Sequence, residues 1–258
     1  MTKYDVLDLL KQNSNQYLSG EQISKTLNLS RTAIWKAIQT LRKEGYQIDA
    51  VTNKGYQLIE QKEIFSAYEL KRRLKTSWLG NTMVFLKEVS STNDYAKTIV
   101  NSVKTGHLIL ANMQTNGKGK QKQTFHSPEG LGVYMSLILK ENIVLQQISK
   151  LRLLVLDSIV HAVENQTGDL CELKHPNEIF YQGKKISGIL IEVSLESETD
   201  EIEYAIVGMG VYTSASIFGV SINRLDLTAD IINQLEAALL GSGCINHSVL
   251  EHNNSNRT

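Results

Sequence analysis

The sequence predicts an α+β protein composed of a small N-terminal unit and a larger strand-rich unit. Three observations indicate this organisation. Residues 1–60 hold three short helical patterns followed by two β-like runs. The remaining chain alternates β-like runs with a few helices but lacks the regular βαβ spacing of a doubly wound sheet. A polar patch separates the two patterns, so we place a linker at 61–64 and the larger unit at 65–240.

Length and composition restrict the class of protein. The chain has 258 residues, of which 41% are hydrophobic and 21% charged, as is ordinary for a folded globular chain. No apolar run approaches the roughly 18 residues that a transmembrane helix needs. The N-terminus also lacks the cationic stretch and apolar core of a signal peptide. We therefore expect a cytoplasmic protein without a membrane partner.

Charge and cysteine content argue against a protein that coats nucleic acid and against one stabilised by disulfides or zinc. Basic and acidic residues number 27 each, so the net charge is zero and the chain as a whole does not coat nucleic acid. Any contact with DNA must therefore be local. Cys171 and Cys244 are far apart and form no CxxC pattern. The sequence thus predicts neither a disulfide framework nor a zinc site, and we assign no metal ligands.

The helices of the N-terminal unit begin and end at recognisable capping residues. An apolar face between Tyr4 and Leu10 predicts the first helix. Ser19 and Gln22 have the spacing of a capping box, which predicts the start of the second helix. Ser30 is the expected N-cap of the third helix, and Gly45 is its expected C-terminal glycine.

The second and third helices have the layout of a helix-turn-helix, because only three or four residues separate them. Two β-like runs follow at 46–48 and 56–59, joined by a turn at 53–55. We therefore predict a winged helix-turn-helix DNA-binding domain over 1–60. The side chains expected to contact DNA are Ser30, Arg31, Thr32, Trp35, Lys36, Gln39 and Lys54.

A three-helix packing module with a hairpin that touches no DNA is the alternative for this unit. The cations Arg31, Lys36 and Lys54 favour the DNA-binding interpretation, since they stand where phosphate contacts are needed.

The larger unit is expected to contain six strands and three helices. The predicted strands are 83–87, 107–112, 133–139, 171–174, 185–193 and 203–207, and the predicted helices are 92–103, 144–165 and 229–240.

A long loop at 112–130 carries glycines and three lysines at alternate positions, Lys118, Lys120 and Lys122. Glycines let the backbone approach a ligand closely, and the lysines can neutralise phosphate groups. The loop therefore indicates a nucleotide or acyl-phosphate ligand. The alternative is a mobile, solvated basic loop without a ligand.

Two more segments are candidate parts of a ligand site. Lys174 precedes a proline turn that can direct its cation into a cleft, and Gly188 in the next strand leaves space for a ligand. The alternative is a surface hairpin with a bulge. Residues 90–93 begin a helix, and their alternative role is that of a plain N-cap.

The order of these motifs resembles the bifunctional biotin protein ligase/biotin operon repressor family over residues 1 to about 240. After the winged helix come Ser91-Thr92-Asn93, Gln114-Thr115 with the basic loop ending Ser127-Pro128-x-Gly130, Lys174-x-Pro176-Asn177, Gly183-Lys184-Lys185-x-x-Gly188-Ile189-Leu190-x-Glu192 and Gly208-x-Gly210. The resemblance implies a mixed-sheet domain related to class II aminoacyl-tRNA synthetases and lipoyl ligases. It also implies synthesis of biotinyl-AMP from biotin and MgATP, transfer of biotin to a carboxylase lysine, and repression as a ligand-bound dimer.

The resemblance also implies roles for individual residues. Lys174 would hold the biotin carboxylate or acyl-phosphate and, with Lys120, would be catalytic. The residues implied for biotin are Ser91, Thr92, Asn93, Gln114, Lys118, Gly119, Lys120, Tyr134, Lys174, Gly188 and Leu190. Those implied for the nucleotide are Lys118, Lys120, Lys122 and Asn177. Phe125 stands where the family has a tryptophan that covers the closed loop.

Several departures from the family pattern affect the chemistry. Lysines and Gln123 replace the loop arginines, and lysine lacks the bidentate fork that arginine offers to phosphate. His175, Glu178 and Tyr212 replace the family's tryptophan, aspartate and asparagine. Losing several transition-state contacts, at about 2–4 kcal/mol each, would slow adenylation by orders of magnitude. No SH3-like C-terminal barrel is expected, and residues 241–258 are expected to be a disordered tail.

We therefore predict a biotin-responsive transcriptional repressor that binds operator DNA as a ligand-promoted homodimer and has weak or lost ligase activity. Its effector would be biotin or biotinyl-AMP, with ATP and Mg²⁺ used only if ligase activity survives. The alternative is an active bifunctional ligase/repressor that also recognises a carboxylase subunit. A further alternative is a regulator that senses a different small carboxylate.

Overall fold

The computed structural model describes residues 3–59, 64–140, 144–174, 178–196, 202–220 and 222–244. The chain divides into two compact units, Met1–Ile64 and Phe65–Thr258. The roles predicted for His175, Pro176 and Asn177, most of the expected linker, and the expected tail from 245 onwards lie outside the described residues. Among the helices in the described ranges, none is long and apolar enough to cross a membrane.

The first unit is a three-helix winged helix. Its elements are α1 (Lys3–Gln12), α2 (Gly20–Leu27), α3 (Arg31–Lys43), β1 (Ile48–Val51) and β2 (Gly55–Leu58). The two strands pair antiparallel as a hairpin. The core is formed by the apolar stripes of the three helices, with buried Val6, Leu7, Leu10, Ile23, Ile34, Ile38 and Leu41.

Local capping interactions fix the helix ends as predicted. Ser19 and Gln22 form the capping box, with each side chain bonded to the backbone of the other residue. Gly45 follows α3 with φ of +100°, and the N–H of Tyr46 donates to the carbonyl of Leu41 at 3.0 Å. Because this bond uses Tyr46 to close the helix, β1 begins at Ile48 and not at Tyr46 as predicted.

The second unit is built on a seven-stranded mixed sheet. Its strands are β3 (Met83–Leu86), β4 (His107–Ala111), β5 (Gly132–Lys140), β6 (Glu172–Lys174), β7 (Glu178–Tyr181), β8 (Lys184–Leu195) and β9 (Ile202–Tyr212). The strand order is β3-β4-β5-β9-β8-β7-β6. The β3–β4 pair is parallel and the other pairs are antiparallel. The predicted α+β class is confirmed.

Helices cover both faces of this sheet. They are α4 (Ala67–Lys71), α5 (Thr92–Ile99), α6 (Ile148–Thr167), α7 (Ala215–Phe218) and α8 (Arg224–Ser242). The buried faces of α6 and α8 form the main core with one face of the sheet. A smaller core between α5 and the opposite face contains Ala96, Val100, Ile109, Ile138 and Ile206. Alternate residues of β5 and β9 therefore belong to different layers.

Several elements differ from the prediction. Strand β9 continues to Tyr212 because its pairing with β5 and β8 holds Gly208 and Gly210 in the sheet despite their low strand propensity. The last helix begins at Arg224, where Asn223 caps it, and extends to Ser242. Strand β7 and the short helices α4 and α7 were not predicted, since four or five residues are too few for a clear periodicity.

Candidate functional site

A cavity lies on the α5 face of the sheet, beside the first turn of α5. Its lining residues are Ser91, Thr92, Asn93, Gln114, Lys118, Phe125, Met135, Gly188, Leu190, Gly208, Met209 and Gly210. The structure thus brings together seven residues that the sequence predicts for one ligand: Ser91, Thr92, Asn93, Gln114, Lys118, Gly188 and Leu190. They come from a helix start, the long loop and a central strand.

Strand register creates the space for this cavity. Gly188 of β8 pairs with Gly210 of β9, and Leu190 pairs with Gly208. A Cβ atom placed on Gly208 would lie 2.4 Å from Oδ1 of Asn93, so the side chain of Asn93 requires glycine at that position. The glycines therefore let α5 and a ligand-sized group approach the sheet closely.

The polar groups of the cavity are connected through Gln114. Its Oε1 accepts hydrogen bonds from the backbone N–H of Thr92 at 2.8 Å and from the Thr92 hydroxyl at 3.1 Å. Its Nε2 donates to Oγ of Ser127 at 2.8 Å. Gln114 consequently links the start of α5 to the far end of the long loop, and all three residues are fixed in position.

Asn93 and Ser136 belong to a second set of hydrogen bonds, which lies on the face of the sheet. The Asn93 amide donates to Oε2 of Glu192 at 2.8 Å, and the fully buried Ser136 hydroxyl donates to Oδ1 of Asn93 at 2.6 Å. Ser136 was not predicted as a site residue. The sequence carries a signal for it, since Ser136 is the one serine in a largely apolar run from Val133 to Leu139.

Two lysines, Lys118 in the cavity lining and Lys185 beside it, are each paired with a carboxylate. Lys118 Nζ lies 2.6 Å from Oδ1 of Asp94, and this hydrogen bond raises the pKa of the Lys118 ammonium. Lys185 Nζ lies 2.5 Å from Oε1 of Glu178. The Cε atom of Lys185 would lie 4.0 Å from a Cβ placed on Gly188, which puts Lys185 beside the cavity. The sequence-based interpretation assigned no role to Lys185.

Lys174 lies apart from the cavity lining. It is on the edge strand β6, its side chain is 52% exposed, and its ammonium sits 4.2 Å from the centre of the Phe180 ring and 3.6 Å from Glu172. The turn that was expected to direct Lys174 into a cleft lies outside the described residues.

Four other residues predicted to bind a ligand, Tyr134, Lys120, Gly119 and Lys122, are also absent from the cavity lining. The Tyr134 hydroxyl donates to the carbonyl of Pro128 at 3.0 Å, and burial raises its pKa. Lys120 begins a short 3₁₀ turn, and desolvation together with the nearby Arg152 lowers its pKa. Gly119 packs against the backbone of Gln123. Lys122 ends the same 3₁₀ turn, and its side chain lies outside the described part of the chain.

The residues predicted to contact DNA lie at the N-cap of α3, along α3 as far as Gln39, and on the wing. Arg31 is 77% exposed along its side chain and lies 3.8 Å from Glu21, and Trp35 is 53% exposed. The Ser30 hydroxyl is used as the helix cap, where it accepts from the N–H of Ala33 at 3.1 Å. Thr32, Lys36 and Lys54 are exposed, and Gln39 is half-buried.

A groove of about 610 Å³ runs between the starts of α2 and α3 and the wing, with Arg31 and Lys54 in its walls. The groove lies beside the first turn of α3, the second helix of the helix-turn-helix. Fold and site together define a helix-turn-helix protein that also carries a mixed-sheet domain with a small, polar ligand cavity.

Comparison with known proteins agrees with this class. Residues 85–211 match the biotin/lipoate A/B protein ligase family, and residues 2–57 match an HTH domain. The bifunctional ligase/repressor BirA of Bacillus subtilis strain 168 is 40% identical over 208 residues, which cover 80% of this chain and 63% of that protein. Residues 85–211 are a domain of the biotin/lipoate A/B protein ligase family, as the motifs predicted. It spans about 63% of the length of this relative.

Two solved structures share the fold. The biotin protein ligase from Aquifex aeolicus in complex with biotin and ATP has a TM-score of 0.54 and 27% identity, covering 62% of this chain and 71% of that one. The biotin protein ligase from Leishmania major in complex with biotinyl-5-AMP has a TM-score of 0.51 and 26% identity, covering 67% of this chain and 79% of that one.

Proposed function

We propose that this chain is a biotin-responsive transcriptional repressor whose ligand cavity is the one beside α5. The observation that carries the proposal is the convergence of Thr92, Asn93, Gln114, Gly188 and Leu190 on that cavity, in a chain that also holds a winged helix. The relative from Bacillus subtilis is named a bifunctional ligase/repressor, which supports a link between the two units.

The donors and acceptors at the cavity suit the chemistry of biotin. A cyclic urea presents two N–H donors and one carbonyl acceptor, and amide and hydroxyl groups such as those of Gln114, Thr92 and Asn93 complement both. Because residues 188 and 210 are glycines, a flat ring can lie against the sheet at this place, where the Phe125 ring lies in this structure. Lys118 and Lys185 are the cations positioned to receive a carboxylate.

The second candidate function is that of an active ligase, favoured by the same two lysines. MgATP would supply the adenylyl group that activates the biotin carboxylate. Lys118 and Lys185 would hold negative charge in place, but lysine offers a point charge where the family's loop offers arginine forks. We therefore propose that adenylation is slow or lost, and that a carboxylase subunit is a partner only if adenylation survives.

Calorimetric titration with biotin, with and without MgATP, tests the proposal directly. We expect biotin to bind and pyrophosphate to be released far more slowly than by the Bacillus subtilis relative assayed in parallel. Comparable pyrophosphate release would establish the active ligase. A thermal shift with lipoate or octanoate but not biotin would identify another carboxylate, because a ligand at 100 times its Kd adds about 2.7 kcal/mol of stability.

Sedimentation velocity with and without the ligand tests the proposed dimer. Ligand should shift the sedimentation coefficient toward that of a dimer and should tighten operator binding over the same concentration range. A chain that stays monomeric at saturating ligand while its DNA affinity rises would contradict the dimer mechanism.

The winged helix gives a separate prediction for DNA. Arg31→Ala or Lys36→Ala should each weaken operator binding and reduce the slope of log K against log salt by about 1, because each loses one phosphate contact. Lys43→Ala is the matched control, since it removes the same charge from the opposite end of α3. Fluorescence anisotropy measures the operator affinity of each variant at salt concentrations from about 50 to about 200 mM, a range over which the slope can be determined. Equal slopes for Lys36→Ala and Lys43→Ala would place the DNA contact elsewhere.

A further inference from the structure

The ring of Phe125 lines the ligand cavity and lies against Gly188 and Gly210. A Cβ atom placed on Gly210 would lie 2.3 Å from Cε1 and 2.5 Å from Cζ of this ring, and one placed on Gly188 would lie 3.2 Å from Cε2. Gly188 and Gly210 are register partners on neighbouring strands, so together they form one flat area on the sheet. The phenyl ring covers this area, and the contact requires glycine at position 210.

Two tyrosine rings hold the phenyl ring in place. Tyr212 stacks on Phe125 with ring centres 5.2 Å apart and an interplanar angle of 11°. Tyr134 meets the same ring edge-on, with centres 6.4 Å apart and an angle of 71°. Both geometries are favourable for aromatic pairs and add to the gain from burial. Phe125 therefore occupies a defined aromatic site on the sheet.

Hydrogen bonds hold the backbone on both sides of the ring. The N–H of Phe125 donates to the carbonyl of Gly117 at 2.8 Å, and the Ser127 hydroxyl donates to the carbonyl of Phe125 at 2.9 Å. The Tyr212 hydroxyl donates to the carbonyl of His126 at 2.7 Å. Tyr212 consequently contacts both the ring and the loop that carries it, and these contacts require no ligand.

The space that remains beside the ring is too small for a ligand. The cavity holds about 20 Å³, roughly the room for one water molecule. Sites for small molecules enclose about 300–1,000 Å³. A ligand of that size and the Phe125 ring cannot occupy the cavity together.

We propose that Phe125 is an internal occupant of the cavity and that a ligand binds only after its ring leaves Gly188 and Gly210. This inference rests on the proposed function, since it concerns access to the same site. The apparent affinity is then reduced by the fraction of molecules in which the ring has left. The loop that carries Phe125 must therefore move whenever the cavity is filled, which ties its conformation to ligand occupancy.

Association kinetics with biotin test this competition. Phe125→Ala should raise the association rate constant by about tenfold or more, equivalent to about 1.4 kcal/mol, because no ring has to leave first. Tyr212→Phe keeps the stacked ring but removes the bond to His126, so its rate constant should rise less. Phe180→Ala, a matched deletion on β7 outside the cavity lining, should leave the rate unchanged. Equal rate constants in the wild type and Phe125→Ala, measured by surface plasmon resonance with free biotin, would overturn the proposal.

A measurement without ligand separates this inference from the proposed function. Phenylalanine labelled with ¹³C in the ring gives aromatic NMR signals for the five phenylalanines, and the Phe125 signal is identified by its loss in Phe125→Leu. In Gly210→Ala a methyl group overlaps the ring position, so this signal should move to that of an exposed phenylalanine. An unmoved signal would overturn the proposal. If the Phe125 signal moves in Gly210→Ala but biotin binds neither the wild type nor Phe125→Ala, the result supports the position of the ring on Gly210 and shows that the proposed ligand is wrong.

Discussion

Replacing Lys185 with alanine is expected to weaken biotin binding about 30-fold, whereas Lys174→Ala should change it less than about threefold. The two lysines are expected to differ because their side chains lie in different places. Lys185 stands beside Gly188 at the cavity, where a charge-assisted hydrogen bond to a carboxylate is worth about 1.5–3 kcal/mol. Lys174 is half-exposed over Phe180, where solvent screens its charge. Calorimetry on the two variants provides the comparison.

The partner of Lys185 supplies an internal control for this experiment. Glu178 holds the Lys185 ammonium at 2.5 Å, so a ligand carboxylate must compete with it. Glu178→Gln should therefore strengthen biotin binding in the absence of MgATP, and Lys185→Ala should cancel the gain. If Lys174→Ala has the larger effect, the role that the sequence suggests for Lys174 holds and Lys185 serves only as the partner of Glu178.

Replacing Glu236 with alanine is expected to destabilise the larger unit by about 3–5 kcal/mol. The Glu236 carboxylate on α8 is buried and accepts four hydrogen bonds. Its donors are the Ser77 N–H at 2.6 Å, the Ser77 hydroxyl at 2.9 Å, the Trp78 N–H at 3.0 Å and the Leu79 N–H at 2.8 Å. Alanine would leave backbone donors without partners in a dry environment, and each such group is costly.

Urea unfolding followed by tryptophan fluorescence measures this loss. The chain has two tryptophans, and Trp35→Phe leaves Trp78, next to the Glu236 contact, as the reporter. Glu236→Gln retains an acceptor and should cost less than alanine. Glu172→Ala is the charge-matched control, because its carboxylate is 69% exposed and should change stability by less than about 1 kcal/mol. A loss for Glu236→Ala no larger than that of Glu172→Ala would show that the buried carboxylate does not stabilise the fold.

Local sequence signals account for much of this molecule. The capping box at Ser19, the cap at Ser30 and the closing turn at Gly45 depend on atoms within five residues, so the sequence alone predicts them. The order of motifs along the chain likewise predicted the family, and the alternation of β-like runs with a few helices, without βαβ spacing, predicted the α+β class. Motif residues such as Thr92 and Gln114 were recognisable for the same reason, because each is defined by its immediate neighbours.

Other features depend on contacts between distant parts of the chain. In the sequence Glu236 is an acidic residue between Leu235 and Ala237 with no visible partner, and only the fold brings Ser77 to it from 159 residues away. Strand β9 continues through two glycines because its neighbours hold it in register, and propensity argues against that.

The cavity also depends on contacts between distant parts of the chain. The register of β8 and β9 places Gly188 opposite Gly210, and the Phe125 ring lies against both because neither position has a side chain. Lys185 lies beside Gly188. Register and burial are set by long-range pairing, since a shift by one residue would turn every side chain of a strand to the other face. The candidate side chains of the site can therefore be identified from the sequence, but the packing of the sheet determines which of them are in contact.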